Sequence, residues 1–372
     1  MKKTLAIVLS AGLPALLPSA SRAAETPSSS AIVRLLNSRA AGSPRDYAAA
    51  AETVAADAAE GRPLQQYVIA VVSRDADLPE RLRLTEEKRR EYLAQSRDRI
   101  RALAEEKGNA LAWYLLSLEA NDLKMLKRAA DGENVQALNA WGTISLTEAL
   151  RNPNIETNDL ERVLFKCRGY FEKAAARGDA NGLYNLGMCY LRGYGCPPDQ
   201  DLALKSFRAA AEAGHPEAIN NLGGFFRDGI VVTRNLETAA RWFARSANLG
   251  NDFGQLNYAL ALQRGEGVEK DEAKAVELFR SSALHGNAEA MNAYGMCFHA
   301  GSGVEKDAAE AVRWFRASAE RGFPPAMDNL SSCYDLGIGV RKDVNESTVW
   351  KVRAMAARGD RNAAAWLRQN GY

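Results

Sequence analysis

The 372-residue sequence predicts an all-α solenoid of antiparallel helix pairs, and three observations carry that reading. Gly178, Gly214, Gly250, Gly286 and Gly322 recur every 36 residues, and a second set, Gly193, Gly229, Gly265, Gly301 and Gly337, keeps the same step. A fixed period between about 20 and 50 residues marks a chain of stacked units. Composition agrees: 47% hydrophobic with 25% charged residues supports a large buried core. Beyond the N-terminus no run reaches the about 20 apolar residues that cross a bilayer, so no membrane span is expected in the mature chain.

Residues 1–23 read as a signal peptide. Lys2 and Lys3 form a positive start, Leu5 to Leu17 an apolar stretch, and Ser21-Arg22-Ala23 a small-residue end, so cleavage is expected after Ala23. No cysteine follows that stretch, which argues against a lipid-anchored route. The mature chain is expected in the periplasm or the outside medium, and the short Met-Lys-Lys start looks bacterial. Removal of Lys2, Lys3 and Arg22 takes the formal net charge from +2 to −1, leaving no basic excess to suggest nucleic acid. Residues 24–42, with Thr26-Pro27-Ser28-Ser29-Ser30, read as a flexible segment.

Residues 43–131 read as degenerate helical pairs forming an N-terminal cap. Ser43-Pro44 opens an alanine-rich helix ending near Gly61, and Thr85 opens a long charged one ending near Gly108. From Gly108 to Gly132 is only 24 residues, too short for a full interhelical loop. Residues 132–177 form a divergent unit of 46, with Ala137, Leu138, Trp141 and Gly142 on a first helix and an extended loop through Asn152, Pro153 and Asn158.

Five regular units follow over 178–358, at 178–213, 214–249, 250–285, 286–321 and 322–358. In each, helix A carries an Ala or Gly (Gly182, Ala218, Gly254, Ala290, Ala326), then Leu186, Leu222, Tyr258, Tyr294 and Leu330, each followed by a small residue. Tyr190, Phe226, Leu262, Phe298 and Tyr334 complete one face of a 3.6-residue helix. Gly-x-Gly-Val loops at 265–268, 301–304 and 337–340 end that helix. Asp199, Asn235, Asp271, Asp307 and Asp343 are expected to cap helix B, with Glu310 and Glu346 as capping-box partners. Helix B then presents a phenylalanine column, Phe207, Phe243, Phe279 and Phe315, and an alanine column, Ala211, Ala247, Ala283 and Ala319. Small columns let helices approach while aromatics fill the gaps. At 359–372 a short helix around Trp366 and Leu367 is expected to seal the last unit, where Lys351 replaces the phenylalanine.

These columns resemble the Sel-one-like repeat (SLR), a relative of the tetratricopeptide repeat (TPR). The fullest instance runs from Ala290 through Tyr294, Gly295, Gly301, Gly303, Val304, Asp307, Ala311, Trp314 and Phe315 to Gly322. The resemblance implies an SLR/TPR-like right-handed superhelix of helix pairs. Cysteine-rich secreted members of the family staple helix A to helix B, but Leu183 and Ala211 stand where that pair is expected here. Of the five cysteines, only Cys297 with Cys333 or Cys189 with Cys196 are candidates to bond, and small apolar packing residues are the default reading.

No Ser-x-x-Lys, Gly-x-Ser-x-Gly, His-Glu-x-x-His or phosphate-loop pattern occurs, and His215, His285 and His299 fall in three different columns. No catalytic, cofactor or metal residue is therefore nominated. The informative surface is the face of helix A opposite its core, which lines the concave groove in helical-pair solenoids. Tyr184, Asn185, Met188, Asn220, Asn221, Phe253, Leu256, Asn257, Leu260, Asn292, Met296 and Asn329 are the partner-binding candidates on it. An exposed stripe rich in Tyr, Met, Phe and Leu implies a cover, either a partner or the adjacent A helices. The asparagine column Asn185, Asn221, Asn257 and Asn329 admits two readings: clamping an extended peptide, or a bond to the neighbouring helix. The expected function is an exported, non-enzymatic scaffold or adaptor holding a protein or peptide on its concave face. Two alternatives remain open: an envelope enzyme or cell-wall and β-lactam binder, and a secreted host-interaction factor.

Overall fold

Each Asp or Asn expected to start a second helix does so by accepting a backbone N–H. Asp199 accepts from Leu202 at 2.9 Å, Asn235 from Thr238 at 2.8 Å and Asp271 from Lys274 at 2.9 Å. Asp307 and Asp343 each accept twice. These bonds satisfy first-turn donors that have no partner within the helix. The capping box is only half realised, because the Glu310 carboxylate accepts from Arg313 and the Trp314 indole instead of reaching back to the cap.

The structure is a computed structural model that describes Ile32, Leu35, and residues 44–60, 63–73 and 78–372. The signal peptide expected at 1–23 and most of the segment 24–42 lie outside the described residues. Among the described residues there are eighteen α-helices, one short 3-10 turn at Glu80–Leu82, and no strand. The chain divides into two compact units, Met1–Ile219 and Asn220–Tyr372.

The first unit holds α1 (Pro44–Ala59), α2 (Pro63–Val72), α3 (Glu86–Glu105), α4 (Ala110–Ala120), α5 (Leu123–Asp131), α6 (Val135–Arg151), α7 (Thr157–Ala175), α8 (Ala180–Arg192) and α9 (Gln200–Glu212). Consecutive helices pack on one another. The α1 and α3 helices start and end close to where their Pro44 and Thr85 signals place them, and Thr85 caps α3 by accepting from Lys88. Asn121 in a left-handed turn and the Asp122 cap connect α4 to α5 directly, so the 24-residue unit does omit the loop. The N-terminal half is more than a polar cap, however. Tyr67, Val68, Ile69 and Ala70 bury all sides of α2, and they join Ile100, Leu115, Leu126 and Leu138 in one continuous core. A helix apolar all round belongs to an interior.

The boundary between the units falls inside α10 (Pro216–Asp228). The second unit continues with α11 (Leu236–Asn248), α12 (Asp252–Arg264), α13 (Glu272–Leu284), α14 (Ala288–Ala300), α15 (Ala308–Glu320), α16 (Pro324–Leu336), α17 (Val344–Ala357) and α18 (Arg361–Gln369). The regular helices are almost all 13 residues long, and their columns interlock as the period predicts. A Cβ placed on Gly187, Gly223 or Gly295 would lie within 3 Å of the Phe207, Phe243 or Phe315 ring respectively. Those rings are buried, so the glycine column exists to admit the phenylalanine column. The same contact joins Gly142 to Phe171, one period before Phe207. The phenylalanine column therefore begins in the divergent unit, a step the 36-residue spacing already contained.

Helix A ends in a left-handed glycine in every regular unit, as at Gly301 (φ 78°), whose N–H bonds the Cys297 carbonyl. Two residues on, Gly303 (φ 69°) approaches the start of α13 so closely that a Cβ would meet the Glu272 carbonyl oxygen at 2.3 Å. Val231 occupies the corresponding position in the 214–249 unit with φ 62°, a left-handed β-branched residue and therefore a strained one.

Candidate protein-binding face

On α8 the candidates are half-buried and engaged. The Tyr184 ring stacks on His215 with centroids 4.2 Å apart and planes at 21°, and it approaches the Phe207 ring at 5.8 Å. His215 is buried, and that burial lowers its proton affinity against the pull of the Glu217 carboxylate 3.1 Å away. The neutral ring can then accept from the Ala218 N–H at 3.4 Å through Nδ1, filling the capping place that Asn251 and Asn287 hold in later units. Asn185 and Met188 lie half-buried on the same helix.

In the second unit the asparagines pair between successive A helices. Asn257 Nδ2 donates to Asn220 Oδ1 at 2.8 Å, and Asn329 Nδ2 donates to Asn292 Oδ1 at 2.8 Å. Arg227 adds a 3.3 Å bond to Asn257 Oδ1. Between those two pairs the equivalent positions are Leu256 and Ala293, so both amides are lost together and an apolar contact replaces them. Paired substitution is what an inter-helix bond demands, because one buried amide without its partner is costly. Asn221, which is half-buried, keeps the same register on α10.

Leu256 joins the core to the cleft floor. It is 3% exposed and packs with Leu262, Phe279, Met291 and Tyr294, and its remaining surface lines the cleft on this face. Of the nominated apolar residues, Phe253 is 53% and Met296 41% exposed, and Leu260 is half-buried. Leu256, Leu260, Ala293, Met296 and Phe323 line a shallow cleft of about 380 Å³, with Glu289 on its wall. Phe323 belongs to this surface although the sequence did not nominate it. Its place is the capping position that holds Asn in α12 and α14, and that polar-to-aromatic exchange was the available signal.

All five cysteines are free thiols; four are buried and Cys196 is partly exposed. Burial pushes the Cys167 thiol up to about 11 and that of Cys189 up to about 12, so neither is a thiolate at neutral pH. Cys196 Sγ rests 3.8 Å from the Cys189 carbonyl oxygen.

The interlocking glycine, aromatic and capping columns define a repeat, and a family model describes the same one. The Sel1 repeat matches at 157–179, 180–215, 216–251, 253–287, 288–323 and 324–350. The chain belongs to the Sel1 repeat family. Its Sel1 match starts within the divergent unit, at α7, in agreement with the Phe171 contact. Among solved structures, a Sel1 repeat protein from Oxalobacter formigenes is 28% identical with a TM-score of 0.53, covering 68% of this chain and 94% of that one. A protective antigen of uropathogenic Escherichia coli strains with an SLR fold is 22% identical with a TM-score of 0.41, covering 89% and 79%. Helicobacter pylori cysteine rich protein B is 23% identical with a TM-score of 0.30, covering 35% and 94%. No curated protein is significantly similar to the chain. A Sel1 repeat chain of the TPR-like superfamily is a scaffold for protein–protein interaction, and no helix among the described residues is long and apolar enough to cross a membrane.

Proposed function

We infer that this Sel1 repeat protein is an exported, non-enzymatic adaptor that holds a protein or peptide segment on the face of its A helices, the concave side of a helical-pair solenoid. The observation that carries the reading is the cleft between α12 and α14, where Met296 stands exposed beside Leu260 and Phe323, with Phe253 exposed at the start of α12. Large apolar side chains grouped on a surface lose stability to water unless a partner covers them. The asparagine pairs support the cleft: they fix successive A helices side by side and leave the contact itself to apolar and backbone groups. Export is supported by the sequence of residues 1–23, and the periplasm or the medium is the destination.

The test is a pulldown from envelope and culture medium with the chain starting at Ala24. Replacing Phe253 and Met296 together by Ser should leave helicity and melting temperature nearly unchanged while abolishing capture. Retained capture would remove the A-helix face from consideration. Fractionation with N-terminal sequencing tests export separately, and a cytoplasmic, uncleaved chain would refute it.

A further inference from the structure

A second cleft, of about 710 Å³, lies wholly in the first unit between α5, α6 and α7. That volume falls within the range of ligand sites, about 300–1,000 Å³. It is separate from the A-helix face, and three departures from the repeat create it. The first is Ser145, which stands where the five regular units carry Tyr190, Phe226, Leu262, Phe298 and Tyr334. The second is Gly169, inside α7, where regular units carry Lys205, Arg241, Glu277, Arg313 and Val349. The third is helix length: α5 has 9 residues against 17 in α6 and 19 in α7, so it is too short to cover its neighbours.

Gly169 is the telling residue. Glycine in a helix interior weakens the helix, and it is usually kept because another group needs the space. Here a Cβ would meet nothing within 4 Å, so no protein atom requires the glycine. What the glycine preserves is open volume. The walls of that volume are half-buried Trp141, Ile155, Val163 and Tyr170. Lys127, Lys166 and Lys173 edge it, against the single carboxylate of Glu148. Lys127 and Lys173 make solvent-exposed pairs with Asp131 at 2.5 Å and Glu133 at 3.0 Å, of the kind that exchange partners at little cost.

We propose that this cleft binds an extended acidic peptide segment of a partner protein, with apolar side chains against Trp141 and Tyr170 and carboxylates on the lysines. The spacing of the charges favours a peptide over a single-headed amphiphile. Lys166 and Lys173 are seven residues apart on α7 and so about 10 Å apart along its axis. Carboxylates three residues apart lie on one side of an extended polyproline II chain with nearly the same separation, about 9 Å.

The experiment is an anisotropy titration of the full chain at low salt with two fluorescein-labelled nine-residue peptides, one a Glu-Leu-Gly repeat and the other its Lys-Leu-Gly counterpart. Saturable one-to-one binding of the glutamate peptide alone is expected, weakened by added salt. Gly169→Leu, which fills the cleft while favouring the helix, should weaken binding at least tenfold with no loss of melting temperature. Lys166→Glu, at an exposed position, should do the same without touching the cleft's volume. Absence of saturable binding, equal affinity for the lysine peptide, or unchanged binding by both variants would overturn the proposal. Displacement of the peptide by equimolar dodecanoate would overturn the peptide assignment in favour of a fatty-acid-like ligand.

Discussion

The unit at 286–321 and the unit at 132–177 share one plan and use it differently. Both set a second-helix phenylalanine, Phe315 or Phe171, against a first-helix glycine, Gly295 or Gly142. In the later unit both helices have 13 residues and every column is filled. In the earlier one the helices lengthen to 17 and 19 residues, Ser145 empties an aromatic column, and Phe165 stands 60% exposed. The close glycine–phenylalanine contact is common to both units and to those at 178–213 and 214–249, while Ala259 takes the glycine's place at 250–285. The columns around it can be changed to make individual surfaces.

The comparison breaks most visibly at that contact. Phe315→Ala should cost about 3–5 kcal/mol by chemical denaturation. Phe165→Ala, on the exposed side of α7, should stay within about 0.5 kcal/mol. Equal losses would mean that the divergent unit is packed like the regular ones.

Loop geometry gives the next effect. Gly303→Ala places a Cβ against the Glu272 carbonyl in a left-handed residue, and should cost more than about 1 kcal/mol. Val231→Gly removes the strain at the matching position and should gain about 1 kcal/mol. A loss on Val231→Gly would show that its side chain contributes more packing than its backbone costs.

The cap at the junction of the divergent and regular units offers a pH test. Asp179 sits where Asn251 and Asn287 cap later helices, and burial raises its carboxyl from 3.8 to about 6 despite the bonds it accepts from Gly182, Asn139 and Asn181. Because the folded value lies above the unfolded one, the stability this group contributes is fully present below about pH 4 and is lost as pH rises through about 6. Asp179→Asn should flatten that dependence, with a gain of about 1–2 kcal/mol at pH 7.5 and none at pH 4. The amide would also supply a donor near Asn139 Oδ1, which has no hydrogen-bond partner. A variant as pH-dependent as the parent would place the titration elsewhere.

The smallest effect concerns the asparagine pairs. Asn329→Ala should cost about 1 kcal/mol, while Asn292→Leu with Asn329→Ala, copying Leu256 and Ala293, should restore stability to within about 0.5 kcal/mol. Strict additivity of the two substitutions would dissolve the pair.

Most of the repeat was legible because its columns are repeated evidence. One capping Asp is weak evidence, but five at a single spacing fix a helix start, and the structure places all five as caps. Single residues were less legible. Leu256 shares a column with Asn220 and Asn292, but beside Ala293 its apolar side chain packs largely into the core and leaves only an edge on the cleft, a depth that no column reports. Phe171 was missed although it stands one period before Phe207, because the long loop interrupts the landmarks. Tyr67 and its neighbours on α2 lie outside any period, so their burial depended on tertiary packing that no spacing reports.

The second glycine of each loop also gives the array a direction. Gly267 rests on the start of α11, Gly303 on α13 and Gly339 on α15, each one unit earlier in the chain. The α11, α13 and α15 helices are thus each latched at the first turn by the unit that follows, not the one before. Among the described residues no glycine rests on the first turn of α17, where Val344 is 57% exposed. Amide hydrogen exchange in the second unit should therefore run as a graded sequence, fastest at the first turn of α17 and slower toward α13. Across α11 to α17 the helices close in order like the teeth of a zip, with α17 the unlatched one.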